Sequence, residues 1–130
     1  MAGETPSFDS VSVAAILAQR GREDRAALLD DLVAMLSGVV PGARVDRTLL
    51  SRRVTAIHLP VGSYVYVLRR SGSASFEASR QQQVRGVVIR TDPIEIEAFL
   101  VELGLALEAE LQRTERGRDA LRAWLTPRNP

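Results

Sequence analysis

The segment "IHLPVGSYVYVLRR", residues 57 to 70, carries the side chains best suited to chemistry in this chain. It contains the single histidine, His58, and both tyrosines, Tyr64 and Tyr66. Histidine can exchange a proton near neutral pH, so His58 is a candidate general base or ligand. A catalytic histidine also needs a nucleophile and an orienting acid close by, and the sequence alone places neither beside it.

The rest of the sequence offers no catalytic pattern to join His58. The chain has no cysteine, and it lacks a phosphate-binding loop, a dinucleotide-binding glycine motif, a paired-histidine metal motif and a nucleophile elbow. We assign Glu97 and Glu102 to a solvated helix face, and Glu95 to a helix cap. These observations predict a protein that is not an enzyme and that has no catalytic residue, cofactor or metal ion.

The register of the predicted hairpin determines where His58 points. Residues 62 and 63, Gly-Ser, suit a two-residue turn, which pairs His58 with Val67 and sends both side chains to one face of the sheet. The other face then holds Tyr64, Tyr66 and their aliphatic neighbours, and we expect that face to meet the helices. We therefore predict that His58 is an ordinary strand residue, half-exposed on the open face beside Arg69.

Charge is unevenly distributed along the chain. All 17 basic residues are arginines, and residues 42–90 carry nine of them against only two acids, whereas both ends are acidic. One interpretation is a cationic surface for phosphate, nucleic acid or an acidic protein segment. The other, which we favour, is that the arginines protect strand edges from aggregation. The candidate binding face consists of Arg52, His58, Arg69, Arg80 and Arg85.

Two segments have the three- and four-residue apolar spacing of helices, "REDRAALLDDLVAMLSGVV" and "TDPIEIEAFLVELGLALEAELQR". For the second, we expect Asp92 at the N-cap, Pro93 at the first helical position and Glu95 completing a capping box. Gly104 in its middle predicts close packing against another element. Residues 11–20 are compatible with a helix or an extended segment, and Gly21 is expected to interrupt.

Between these helices the apolar period changes to two residues, which indicates strands. Five candidates follow one another: "ARVDRTL", "RRVTAIHLP", "YVYVLRR", "ASFEASRQQ" and "VRGVVIRT". Their connections are too short for parallel crossovers, so they predict an antiparallel meander. Gly86 within the fifth strand predicts a bulge or a close backbone approach. The segment "TERGRDALRAWL" either continues the C-terminal helix or forms a second one.

Together these elements predict a two-layer α+β domain in the order α-β-β-β-β-β-α-α. An antiparallel meander of four or five strands is packed on one face by an N-terminal helix and a long C-terminal helix. We expect residues 1–9 to be a flexible tail, residues 10–126 a single domain and residues 127–130 a frayed end. Because no long apolar run or signal-peptide pattern is present, we expect a cytoplasmic protein with no membrane partner.

This layout resembles the secretion-chaperone-like α+β architecture, which includes type III secretion chaperones and small YbjN-like proteins. The resemblance covers residues 22 to 112 and is carried by "LLDDLVAMLSGVVPG", by the strands with "VYVLRR", and by "DPIEIEAFLVELG". Members are typically dimeric binding proteins without catalysis, so it implies a homodimer that binds a protein partner. The arginine-rich strands keep a second hypothesis open, namely binding of nucleic acid or another polyanion.

Overall fold

The computed structural model describes residues 8–72 and 75–125 and confirms the α+β class. The predicted tail and the predicted frayed end lie mainly outside these residues, although Phe8 and Asp9 already belong to the first helix. In chain order the elements are α1 (Phe8–Glu23), α2 (Leu28–Leu36), β1 (Arg44–Arg47), β2 (Val54–Val61), β3 (Tyr64–Arg70), β4 (Phe76–Val84), β5 (Val87–Ile94), α3 (Ile96–Leu111) and α4 (Glu115–Leu125).

The five strands form one antiparallel sheet in the order β1-β2-β3-β4-β5. Val61 pairs with Tyr64 across the Gly-Ser turn at residues 62 and 63, as the sequence predicts. His58 consequently pairs with Val67, and the apolar residues of β2 and β3 share the face toward the helices. A strand order that follows the chain order confirms the meander.

The core lies between this face of the sheet and the helices. The helix stripes predicted from spacing supply most of it, because α2 and α3 lie on the sheet and α1 packs across α3. The fully buried large side chains are Phe99, Leu17, Leu28, Leu29, Leu32, Leu36, Ile57, Leu59, Leu68, Leu100, Leu103 and Leu107. Burying a leucine or phenylalanine completely contributes about 1.5 to 3 kcal/mol, so this set provides the main driving force for folding.

Helix α1 settles the question left open for residues 11–20, which are helical. Gly21 does not interrupt this helix, which runs on to Glu23, so that expectation was wrong. A Cβ at position 21 would lie 2.7 Å from Leu100 Cδ1 of α3. Gly104 of α3 fits equally closely against α1, because a Cβ there would lie 2.5 Å from Ala14 Cα. The close packing predicted for Gly104 is confirmed, and a second N-terminal helix is added to the predicted order.

The boundary between β5 and α3 differs from the predicted one. Asp92 and Pro93 belong to β5, and α3 begins at Ile96 with Glu95 as its N-cap and no side-chain capping bond. Asp92 forms ion pairs with Arg80 and Arg90 instead of capping the helix. Proline is tolerated on an edge strand because one side of that strand needs no hydrogen bonds, so the tertiary pairing overrode a good local helix-start signal.

The connection between β4 and β5 also differs from the prediction. Arg85 and Gly86 form a two-residue turn, with φ angles of 53° and 82°. Positive φ at both central positions is the geometry that matches the twist of a hairpin. Gly86 is therefore a turn residue rather than a bulge within β5, and β4 extends to Val84. The register shift lies between Gln82 and Gln83 instead.

Candidate functional site

His58 lies on the open face of the sheet in a cluster with two residues of β1. Its Nε2 is 3.0 Å from Asp46 Oδ2 and 3.1 Å from Arg44 Nη2, and its Nδ1 is 3.4 Å from the same Arg44 nitrogen. The Arg44 Nε is in turn 3.6 Å from Asp46 Oδ1. The cluster follows from the strand register, because Arg44 pairs directly with His58 across the β1–β2 ladder, and Asp46 follows two residues later on the same face.

The contact with Asp46 has one possible direction. A carboxylate only accepts hydrogen bonds, so His58 Nε2–H donates to Asp46 Oδ2. This hydrogen bond holds the pKa of Asp46 below its usual value despite partial burial, and the charges of Arg44 and Arg69 act in the same direction. The arrangement is an orienting acid with a histidine, and the Arg44 guanidinium lies beside both ring nitrogens.

The side chain of His58 is less accessible than the sequence led us to expect. Only 12% of it is exposed, so the expectation of a half-exposed residue was wrong, although its face is the predicted one. Ala56 and Val67 beside it are 2% and 1% exposed. Neighbouring side chains on the open face cover these small residues. Asp46 and Arg44 were missed as partners of His58, because the β1–β2 register depends on an irregular loop that carries no turn signature.

The predicted set of candidate binding residues does not share one face. Arg69 lies on the open face with His58, since it pairs with Ala56 two positions along the same ladder. Arg52 lies in the β1–β2 loop with a φ of 59°, and Arg85 lies in the β4–β5 turn. Arg80 pairs with Tyr66 and therefore lies on the opposite face, beneath the helices. Alternation along the strand separates Arg80 from Arg69, so the five residues do not form a single patch.

Arg80 instead belongs to an ionic cluster between the sheet and α3. Its Nη1 donates to Glu102 Oε2 at 2.5 Å, and its Nη2 lies 3.6 Å from Asp92 Oδ2. Tyr66 donates its hydroxyl to the same Glu102 oxygen at 3.1 Å, and the Arg80 guanidinium lies 4.8 Å from the centre of the Tyr64 ring. The assignment of Glu102 to a solvated helix face was therefore wrong. Its carboxylate connects α3 to β3 and β4.

This cluster predicts a stability change at high pH. Burial, followed by the hydrogen bond to the Glu102 carboxylate, raises the pKa of Tyr66 to about 12. A tyrosine in the unfolded chain has a pKa of about 10, so the stabilisation that comes from the raised pKa of Tyr66 is fully present below about pH 10. This stabilisation is lost as the pH rises from about 10 through about 12, at up to about 1.4 kcal/mol per pH unit for one proton.

The measurement is urea unfolding between neutral and strongly alkaline pH, compared with Tyr66→Phe. The phenylalanine variant keeps the ring but has no ionisable hydroxyl, so its free energy of unfolding should fall less over the same range. An equally steep decline in both proteins would contradict the assignment of the effect to Tyr66.

The most exposed apolar surface on a strand is the end of the β4–β5 hairpin. Tyr64, the first residue of β3, pairs with Gln82, which in turn pairs with Arg90, so residues 83–89 project beyond β3. We call the four exposed aliphatic residues of this projection the apolar arm: Val84, Val87, Val88 and Ile89, which are 50%, 62%, 45% and 57% exposed. The sequence signal for this arm was present in "VRGVVI", but we assigned these residues to the fifth strand, with Gly86 as a bulge or a close backbone approach within it.

Two grooves flank the sheet. One, of about 520 Å³, lies at the end of the sheet that carries the β2–β3 turn, between that turn and the α3–α4 junction, with Val40 and Leu107 in its mainly apolar lining. The other, of about 670 Å³, lies at the β5–α3 junction and includes Phe76, Pro93 and Ile96. Both are open, and the second also has polar residues in its lining, among them Arg69, Glu77 and Glu95.

Comparison with models of protein families, with curated proteins and with solved structures gives no match to this chain. The resemblance to the secretion-chaperone-like proteins therefore stays a prediction. Within residues 8–72 and 75–125, no three histidine, aspartate or glutamate side chains are grouped so that they could hold a metal ion. No helix in the same described ranges has both the length and the apolar character needed to cross a membrane.

Proposed function

We propose that this protein is a non-enzymatic protein-interaction module of the cytoplasm that acts as a homodimer. The observation that carries the proposal is the apolar arm, in which four aliphatic residues on the two sides of the Arg85-Gly86 turn are 45% to 62% exposed. A two-stranded hairpin that projects from a sheet is only marginally stable alone in water. Exposed aliphatic side chains grouped at the end of such a hairpin are typical of a site that contacts another protein chain.

The geometry of the His58 cluster supports a structural role for that residue. A general base needs a ring nitrogen free to accept a proton from a substrate. In His58, Nε2 bonds to Asp46, and the Arg44 guanidinium lies 3.1 Å from Nε2 and 3.4 Å from Nδ1. The side chain is also largely covered, which leaves little room for a substrate. These contacts favour a binding protein over an enzyme.

The alternative, binding of nucleic acid or another polyanion, draws less support from the same structure. A polyanion site requires several cations that face one direction. Arg80 is engaged with Glu102 beneath the helices, and Arg44 is engaged with Asp46. The remaining candidates lie in a loop, in a turn and on the open face, so their charges are dispersed.

The proposal is tested by light scattering at micromolar concentration. We expect a mass of twice 14.2 kDa for the natural chain. Val88→Glu should shift the mass toward that of the monomer, because a charged side chain cannot be buried in an apolar contact without a large desolvation cost.

Val101→Glu is the matched control, since Val101 is an exposed valine of similar accessibility, 42% against 45%, on the outer face of α3. It should leave the dimer intact. A natural chain that is monomeric at every concentration would exclude the homodimer, and dissociation by Val101→Glu alone would move the interface from the arm to α3.

A further inference from the structure

We propose that the partner surface is the free edge of β5, which pairs antiparallel with β5 of a second copy about a twofold axis at Thr91. This inference rests on the proposed homodimer and specifies its register. The edge strand β5 pairs with β4 on one side only, and residues 90–94 keep unbroken register with that neighbour. A strand edge presents a row of N–H and C=O groups that another strand can complete, except at Pro93, which has no N–H to donate.

Charge complementarity selects the register. With Thr91 opposite Thr91 of the second copy, Arg90 lies opposite Asp92 of the second copy, and Asp92 opposite its Arg90. Each dimer therefore places two pairs of opposite charge across the new ladder, beside the Arg90–Asp92 and Arg80–Asp92 ion pairs within each copy. It also adds one threonine pair, and both kinds of pair are favourable neighbours in a sheet. Centring the axis on Arg90 or on Asp92 would instead place like charges directly opposite each other. The side chain of Arg90 is 69% exposed, so it is accessible for such a pair.

The apolar groups along the strand agree with the same register. Ile89 comes opposite Pro93 of the second copy, and Val88 comes opposite its Ile94. The apolar arm of each copy thus extends alongside the β5–α3 junction of the other, where Phe76, Pro93, Ile94 and Ile96 line the groove of about 670 Å³. The two exposed apolar features of the β4–β5 region therefore cover each other, and the two sheets become one ten-stranded sheet.

A competing register would place the axis at Val88, so that Val87 pairs with Ile89 of the second copy. It would bury aliphatic side chains but would not bring Arg90 opposite Asp92 of the second copy. It would also centre the pairing on the irregular part of the hairpin, next to the shift between Gln82 and Gln83. The Thr91 register uses the regular part of the strand, and for this reason we favour it.

The absence of cysteine from the chain makes disulfide crosslinking a clean test of register. Directly opposite residues in an antiparallel pair have Cβ atoms about 4.5 to 5.5 Å apart, within reach of a disulfide after a small adjustment. Under mild oxidation, Thr91→Cys should convert most of the chain to a covalent dimer. Val88→Cys should not, because six residues of offset along a strand separate the two copies of Val88 by about 20 Å.

A second pair of variants tests the axis without covalent chemistry. Thr91 is exposed, so Thr91→Lys and Thr91→Glu should both fold. Each alone should raise the dissociation constant of the dimer by at least about tenfold, since two like charges face each other at the axis. An equimolar mixture of the two should restore dimerisation as a heterodimer with a Lys–Glu pair.

The outcomes separate this inference from the proposed function. Crosslinking through Val88→Cys but not Thr91→Cys would overturn the register and leave the homodimer standing. A dimeric natural chain that neither cysteine crosslinks would overturn pairing through β5. A monomeric natural chain would overturn both proposals.

Discussion

Replacing Gly104 by alanine is expected to lower the free energy of unfolding by about 2 kcal/mol, although alanine is the better helix former. The added Cβ would lie 2.5 Å from Ala14 Cα and 2.8 Å from Ala14 N, both backbone atoms of α1. Backbone cannot move aside as a flexible side chain can, so α1 and α3 must separate along their contact. Overpacking of this kind typically costs about 1 to 3 kcal/mol.

The matched control is Gly38→Ala, at a glycine whose Cβ would meet nothing within 4 Å. This substitution should leave stability unchanged or raise it slightly, because alanine restricts the unfolded chain. Urea unfolding followed by circular dichroism measures both variants. If Gly104→Ala were as stable as the natural protein, the close approach of α1 and α3 would be disproved.

Replacing Glu102 by leucine is expected to lower the free energy of unfolding by about 2 kcal/mol, the scale of hydrogen bonds to a charged group. The variant removes the shared acceptor of Arg80 and Tyr66. It leaves the Tyr66 hydroxyl buried and the Arg80 guanidinium with Asp92 as its remaining carboxylate partner at 3.6 Å.

A double-mutant cycle isolates the interaction. Glu102→Leu combined with Arg80→Met should lower the free energy of unfolding by less than the sum of the two single substitutions. The reason is that the double variant leaves no charged side chain of this pair without its partner. Glu110→Gln is the control, since Glu110 lies on α3 as Glu102 does and pairs with the exposed Arg113 just beyond the end of that helix. This substitution should lower the free energy of unfolding by less than about 1 kcal/mol. If Glu102→Leu and Glu110→Gln lowered the free energy of unfolding equally, the ionic cluster around Glu102 would contribute no more stability than an exposed ion pair.

The parts of the fold that could be predicted from sequence are those governed by nearest neighbours. The Gly-Ser turn at residues 62 and 63 specified the β2–β3 register, and with it the face on which His58 lies. The apolar spacing of α3 specified its buried stripe, and Gly104 indicated close packing against another element, which the structure shows to be α1. In each case the local signal and the tertiary contact demand the same arrangement.

The errors arose where distant residues decide the structure. Asp92 and Pro93 have the local pattern of a helix start, but the ladder with β4 and the ion pair with Arg80 keep them in β5. The partnership of Arg80 with Glu102 depends on how α3 crosses the sheet, and no spacing in the sequence encodes that crossing. The contact between Asp46 and His58 could not be predicted either, because it depends on the path of the β1–β2 loop.

The order of the strands has a consequence for how the chain is made. Each strand pairs with its neighbour in sequence, so the sheet can assemble by closing short loops soon after each hairpin leaves the ribosome. Helix α1 is synthesised before the strands, yet Gly104 of α3, against which it packs, is made only after all five strands. The side of α1 that contacts α3 therefore has no partner in α3 until the whole sheet has been synthesised, so the docking of α1 onto α3 is a late step of folding.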